Sequence, residues 1–232
     1  MSKRKGDRAG SPARHVGTGA RGGRGGVPAG DAAGEAAGDA AGDQSVEQAA
    51  EPVVEPIGDP RPFAWDGPAL RHAIAVGRVG DLLDLADHTG ECDGRHVTTA
   101  AVVRQLALLD LAVPGRLEVV NLDDPLEVEA LARWLDRTSS GPAGRVQATV
   151  CAWTEIHGAA AVLDDRGTRR VAGPAGLTAF GTLRVAARAV ASGDVPGDVA
   201  SGLVDRLIAD GARYPHGPGG FLAWARDAGH LD

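Results

Sequence analysis

Two acidic marks in the chain sit where chemistry is easily built. Asp66 follows the short apolar run Phe63-Ala-Trp65, and Asp164-Asp165 follows the continuous apolar run Ala159-Ala-Ala-Val-Leu163. In an open parallel sheet the loops diverge at the carboxyl ends of the strands and leave a crevice there. If the two runs are neighbouring strands, three carboxylates converge on that crevice. Clustered carboxylates repel one another unless protonated or bridged by a cation, and Mg²⁺ or Mn²⁺ takes oxygen ligands of this kind. Asp66, Asp164 and Asp165 are therefore the candidate catalytic acids and metal ligands. A simpler role exists for two of them. Asp66 precedes Gly67-Pro68, and Asp165 precedes a basic segment, both suitable places for a helix N-cap.

The elements that must position these acids are legible as alternating short apolar runs and helical periodicity, the signature of βα units. After Phe63-Ala-Trp65 a helical hairpin is expected, with Leu70 and Ile74 on one arm and Leu82, Leu83, Leu85 and Ala86 on the other. His96-Val97 predicts a second strand, and Val102, Val103, Leu106 and Leu109 the helix after it. Leu117 to Leu122 predicts a third strand. Asp123-Asp124-Pro125 then opens a helix with an expected buried stripe of Leu126, Ala130, Leu131, Trp134 and Leu135. A helix from Gly144 to His157 stops at Gly158 and leads into Ala159–Leu163, whose unbroken apolar character suits a strand covered on both faces. A short basic helix, a last strand over 177–180 and three further helices complete the pattern. The expected fold is α/β, a three-layer α/β/α sandwich around a mostly parallel sheet of about five strands.

Within this pattern the segment from Trp65-Asp66-Gly-Pro to Gly77-Arg-Val-Gly-Asp-Leu-Leu83, and the interval from Val162-Leu-Asp-Asp-Arg166 to Phe180-Gly-Thr-Leu183, resemble the PIN-domain nucleases. The resemblance covers roughly residues 62 to 230. It implies a divalent-metal-dependent ribonuclease of toxin–antitoxin type, using Mg²⁺ or Mn²⁺ to activate water against an RNA phosphodiester. Asp66 matches the first acid of that family, and Asp164 or Asp165 the last. The helix after the second strand carries Gln105 where the family presents a Glu; a Gln ligates through its carbonyl and adds no charge. The helix that usually begins with an acid reads Gly144-Arg145-Val146-Gln147, with Val146 at the position where the resemblance calls for negative charge. The implied metal ligands are thus Asp66, Gln105, Asp164 and Asp165, and the missing charge implies weak metal binding. The alternative is a catalytically impaired PIN-like module that binds RNA or protein. Arg166, Arg169 and Arg170, together with Thr182, are the expected RNA contacts. RNA, an antitoxin or another protein partner, and a second copy in a homodimer are all compatible with this reading.

Composition sets the boundaries. Residues 1–26 hold seven Lys or Arg against one acid, and residues 27–59 hold eight acids and no base. Subtracting these from the 24 bases and 31 acids of the whole chain leaves 17 and 22 in residues 60–232. Such a domain is no general nucleic-acid coat, because non-specific affinity follows the number of basic contacts. Residues 1–59 are rich in Gly and Ala, with few large apolar side chains, and are expected to be a disordered tail before the domain at 60–232. A match to GxGxxG at Gly17–Gly22 has neither strand nor helix around it and carries no nucleotide site. No apolar run follows the basic start and no stretch approaches a membrane span, so a cytoplasmic protein without a membrane partner is expected. Cys92 and Cys151 read as isolated reduced thiols, and the histidines as scattered without metal spacing.

Overall fold

The computed structural model describes residues 59–138 and 141–232. The expected tail falls outside these apart from Asp59. Five parallel strands form one sheet in the order β3-β2-β1-β4-β5, where β1 is Arg61–Trp65, β2 Cys92–Thr99, β3 Leu117–Val120, β4 Ala160–Val162 and β5 Ala179–Phe180. Nine helices accompany them among the described residues: α1 (Gly67–Ala75), α2 (Val79–Asp87), α3 (Ala100–Ala107), α4 (Pro125–Arg137), α5 (Pro142–His157), α6 (Arg166–Ala172), α7 (Thr182–Ala191), α8 (Gly197–Ala209) and α9 (Phe221–Asp227). One group packs α3 with α1 and α5, and α5 with α4; the other packs α7 with α2, α8 and α9. The architecture is the α/β sandwich expected from the pattern, with every strand pair parallel.

The short β4 lies between β1 and β5, and all its residues are fully buried together with Leu163. Both faces of a central parallel strand are covered, which is why this run contains no polar residue. Beside it Phe63 on β1 meets Phe180 on β5 edge to face, with ring centroids 5.2 Å apart. Gly158 ends α5 in the left-handed region at φ 62°, so the chain turns straight into β4.

Differences from the expected pattern are local. The third strand stops at Val120, and α3 stops at Ala107, which leaves Leu109 exposed beyond it. On α4, Ala130 and Trp134 are buried as expected, but Leu126 and Leu135 are 60 % and 40 % exposed. Glu127 takes the inward place in the first turn. Its carboxylate accepts from the Asp123 and Asp124 backbone N–H groups, each at 3.1 Å, and contacts His157 Nε2 at 2.7 Å. A capping box therefore sets the rotation of this helix. Apolar periodicity alone points the stripe differently. Among the described residues no helix is long and apolar enough to cross a membrane.

Candidate functional site

Pairing of β1 with β4 brings Trp65 level with Val162, and the Asp66 N–H donates to the Val162 carbonyl at 3.1 Å. Asp66 therefore leaves the sheet beside Leu163-Asp164. It also caps α1, with Oδ1 accepting from the Ala69 N–H at 2.8 Å. The cap occupies one oxygen only. Asp66 is completely buried, and Oδ2 has no partner meeting hydrogen-bond geometry among the described residues, although the Asp164 backbone N–H also faces this carboxyl. Burial, followed by the charge of Asp164, pushes the Asp66 carboxyl well above the usual carboxylate range; the backbone N–H groups of Ala69 and Asp164, and Arg169, only partly offset this.

Asp164 is held from two distant parts of the chain. Oδ1 accepts from the Thr182 N–H at the start of α7, 2.7 Å away, and Oδ2 from the Tyr214 hydroxyl at 3.3 Å. The Thr182 hydroxyl is buried and lacks a partner meeting hydrogen-bond geometry. Tyr214 follows α8, and burial together with the Asp164 charge raises its phenol above the ordinary value. Arg169 donates to the Leu163 carbonyl, so its guanidinium lies alongside the same turn.

The remaining expected residues divide. Asp165 is exposed and caps α6, accepting from the Thr168 N–H at 2.7 Å. Thr168 Oγ1 lies 2.9 Å from Asp165 Oδ1 and 2.8 Å from the side-chain oxygen of the buried Gln147. Gln105 is half-buried with its carbonyl against α1: a Cβ on Gly67 would lie 2.5 Å from Gln105 Oε1. Glycine beside Asp66 is what lets this amide approach. Arg166 and Arg170 are exposed, whereas Arg169 is half-buried. The structure thus brings Asp66, Asp164 and Thr182 together, sets Gln105 at the adjoining turn, and turns Asp165 outward.

Several neighbours went unread in the sequence. On α5 the inward position is Gln147, not Val146: it is buried and bonded to Thr168 of the α6 cap, and one turn further on Cys151 feels the Asp66 charge. An open cleft of about 420 Å³ lies outside Asp164, lined by Pro68, Arg71 and His72 of α1 and by Gly211, Ala212 and Arg213 after α8. His72 Nδ1 is 2.8 Å from Asp210. Tyr214 and Arg213 reach the site by tertiary packing alone; no spacing motif marks them.

A second cluster needs separate treatment. Asp87, Cys92 and His96 offer ligand atoms within 4.8 Å of one another, so Cys92 does have a nearby histidine, contrary to the sequence reading. Yet His96 is already occupied on both nitrogens. Its Nε2 is 3.0 Å from Asp87 Oδ1, and its Nδ1 is 3.3 Å from Trp65 Nε1, which donates to it. Burial lowers the His96 pKa and lifts the Cys92 thiol to about 12. A protonated thiol beside a neutral, doubly hydrogen-bonded imidazole is a closed structural network. Soft-metal ligation requires thiolate and a free nitrogen lone pair.

The Asp66–Asp164 pair has different chemistry: two hard oxygen ligands, one buried oxygen without a partner, and mutual repulsion that a cation relieves. It fits a divalent ion such as Mg²⁺ or Mn²⁺, with few charged ligands to hold it. No family model, curated protein or solved structure matches the chain.

Proposed function

We propose that residues 60–232 form a PIN-like domain that binds RNA and a hard divalent cation at the carboxyl ends of its strands, and that hydrolyses RNA slowly. The observation that carries this reading is the partnerless Oδ2 of Asp66, fully buried beside Asp164. A helix cap needs only Oδ1, and a buried carboxylate oxygen left without such a partner calls for an explanation, which an ion supplies. Asp66 and Asp164 would hold the ion, with Gln105 and Gln147 as neutral neighbours. When bound, such an ion activates water and offsets charge on the phosphate. The chain's own contribution is positional: the Thr182 N–H and the Tyr214 hydroxyl fix Asp164, while burial excludes bulk water from Asp66.

Slow hydrolysis follows from the charge count. Asp165 serves as an exposed cap, and two amides stand where acids would strengthen ion binding. These same features favour a second reading, a module that binds RNA without cutting it. The toxin role implied by the family resemblance requires rapid cleavage, which a two-acid site does not favour. Incubating the purified full chain with pooled RNA and Mn²⁺, with Asp164→Ala alongside, separates the readings. Slow Mn²⁺-dependent cleavage lost in the variant supports the nuclease; RNA retention without cleavage supports the module; neither outcome leaves both readings without support.

A further inference from the structure

We infer that the cleft outside Asp164 is a phosphate subsite for single-stranded RNA, with Arg71 and Arg213 as its two phosphate contacts. The polymer named here rests on the RNA reading above; the anion chemistry comes from the cleft itself. Arg71 projects from α1 and Arg213 from the segment after α8, and both line one cleft with Asp164. Neither guanidinium has an ion pair or hydrogen bond among the described residues. Arg78, Arg95, Arg116 and Arg133 by contrast each meet a carboxylate. Arg166 and Arg170 on α6 also lack an ion pair among the described residues, but they lie outside this cleft. Asp164, in the lining itself, is engaged with the Thr182 N–H and the Tyr214 hydroxyl, and Asp210, next to Gly211, with His72. Two uncommitted guanidinium forks in one concavity bind a tetrahedral oxyanion better than a carboxylate-rich surface permits elsewhere.

The volume, about 420 Å³, falls in the range of ligand pockets and exceeds what a bare phosphate fills. No Phe, Tyr or Trp lines it, and the ring of His72 is tied to Asp210, so it offers no large stacking platform for a base. Contacts to phosphate alone carry no sequence information. The expected behaviour is therefore affinity for the RNA backbone that is salt-sensitive and indifferent to base.

The test is fluorescence anisotropy of labelled oligouridylate and oligoadenylate with the full chain in EDTA, across a salt series. Each of Arg71→Gln and Arg213→Gln should reduce the slope of log K against log salt by about 0.7 in magnitude, and equally for both sequences. Both substitutions are at exposed side chains without partners, so folding is not at stake. Unlabelled uridine monophosphate and inorganic phosphate serve as competitors. Displacement of RNA by the monophosphate from the wild type supports a nucleotide-sized phosphate site. Binding of inorganic phosphate without any affinity for the oligonucleotides overturns the RNA assignment. Unchanged slopes, or an effect on one sequence only, overturn the clamp. Because no metal is present, these failures leave the Asp66–Asp164 reading intact, and a wild type that ignores Mn²⁺ leaves the clamp intact.

Discussion

Asp66 and Asp164 follow the adjacent strands β1 and β4, and of their four carboxylate oxygens only Asp66 Oδ2 lacks a hydrogen-bond partner among the described residues. The pair is thus anchored by backbone N–H groups at one oxygen each and by Tyr214 at a third, with the fourth buried.

Removing the buried charge should stabilise the metal-free protein. Asp66→Asn keeps the cap, since asparagine caps as well as aspartate. The folded-state pKa of Asp66 is raised, so stability is fully present below the ordinary carboxylate pKa and falls as pH rises through the raised value. In EDTA at neutral pH the variant should unfold at a higher temperature, by about 2–4 °C for each kcal/mol gained. The gain should vanish below about pH 3, where the carboxyl is protonated in both states. Equal melting temperatures at pH 7 would show that Asp66 is not penalised by burial.

Asp165 and Asp164 should behave as different kinds of residue despite being adjacent. Asp165→Ala removes the α6 cap and should cost about 1 kcal/mol, recovered in Asp165→Asn. Neither change should alter Mn²⁺ binding, whereas Asp164→Asn should weaken it. Urea unfolding and metal titration of the three variants check this; a binding loss in Asp165→Asn equal to that in Asp164→Asn would restore Asp165 to the site.

Much of this arrangement was readable before any coordinates, and the reason is local. The apolar run before Asp164 has to be a covered strand, and the run before Asp66 has to be a strand entering a capped helix, so both acids had to emerge at strand ends. That β1 and β4 are neighbours was a conditional step, since sequence pattern does not specify sheet order. What stayed hidden depends on helix rotation or on long-range packing. The inward turn of Glu127 reset the α4 stripe, Gln147 turns inward onto Thr168 where Val146 was expected, and Tyr214 reaches Asp164 from 50 residues away. Asp165 was ambiguous between ligand and cap because its sequence position suits both.

Adding charge at the two amides should strengthen metal binding and weaken the empty fold. Gln105→Glu places a carboxylate at the turn beside Asp66, and Gln147→Glu one a helical turn before Cys151, which feels the Asp66 charge; like charges repel there without a cation. The double variant should melt lower than wild type in EDTA and higher than wild type in excess Mn²⁺. A variant whose melting temperature does not respond to Mn²⁺ would show that these amides do not face an ion site. Val146→Glu, on the neighbouring position, should give no such response.

The two thiols should be inert in the native protein. Burial pushes both Cys92 and Cys151 up to about 12, so thiolate is scarce at neutral pH. A thiol-reactive chromophore should label neither until denaturant is added; rapid labelling of one thiol under native conditions would indicate an exposed or activated cysteine.

The most direct measurement is calorimetric titration of Mn²⁺ into wild-type protein and Asp66→Asn. Weak binding, in about the millimolar range, is expected at a single site in the wild type, with its loss in Asp66→Asn. Tight binding, or binding that survives in Asp66→Asn, would place the metal elsewhere and contradict the role assigned to the Asp66–Asp164 pair.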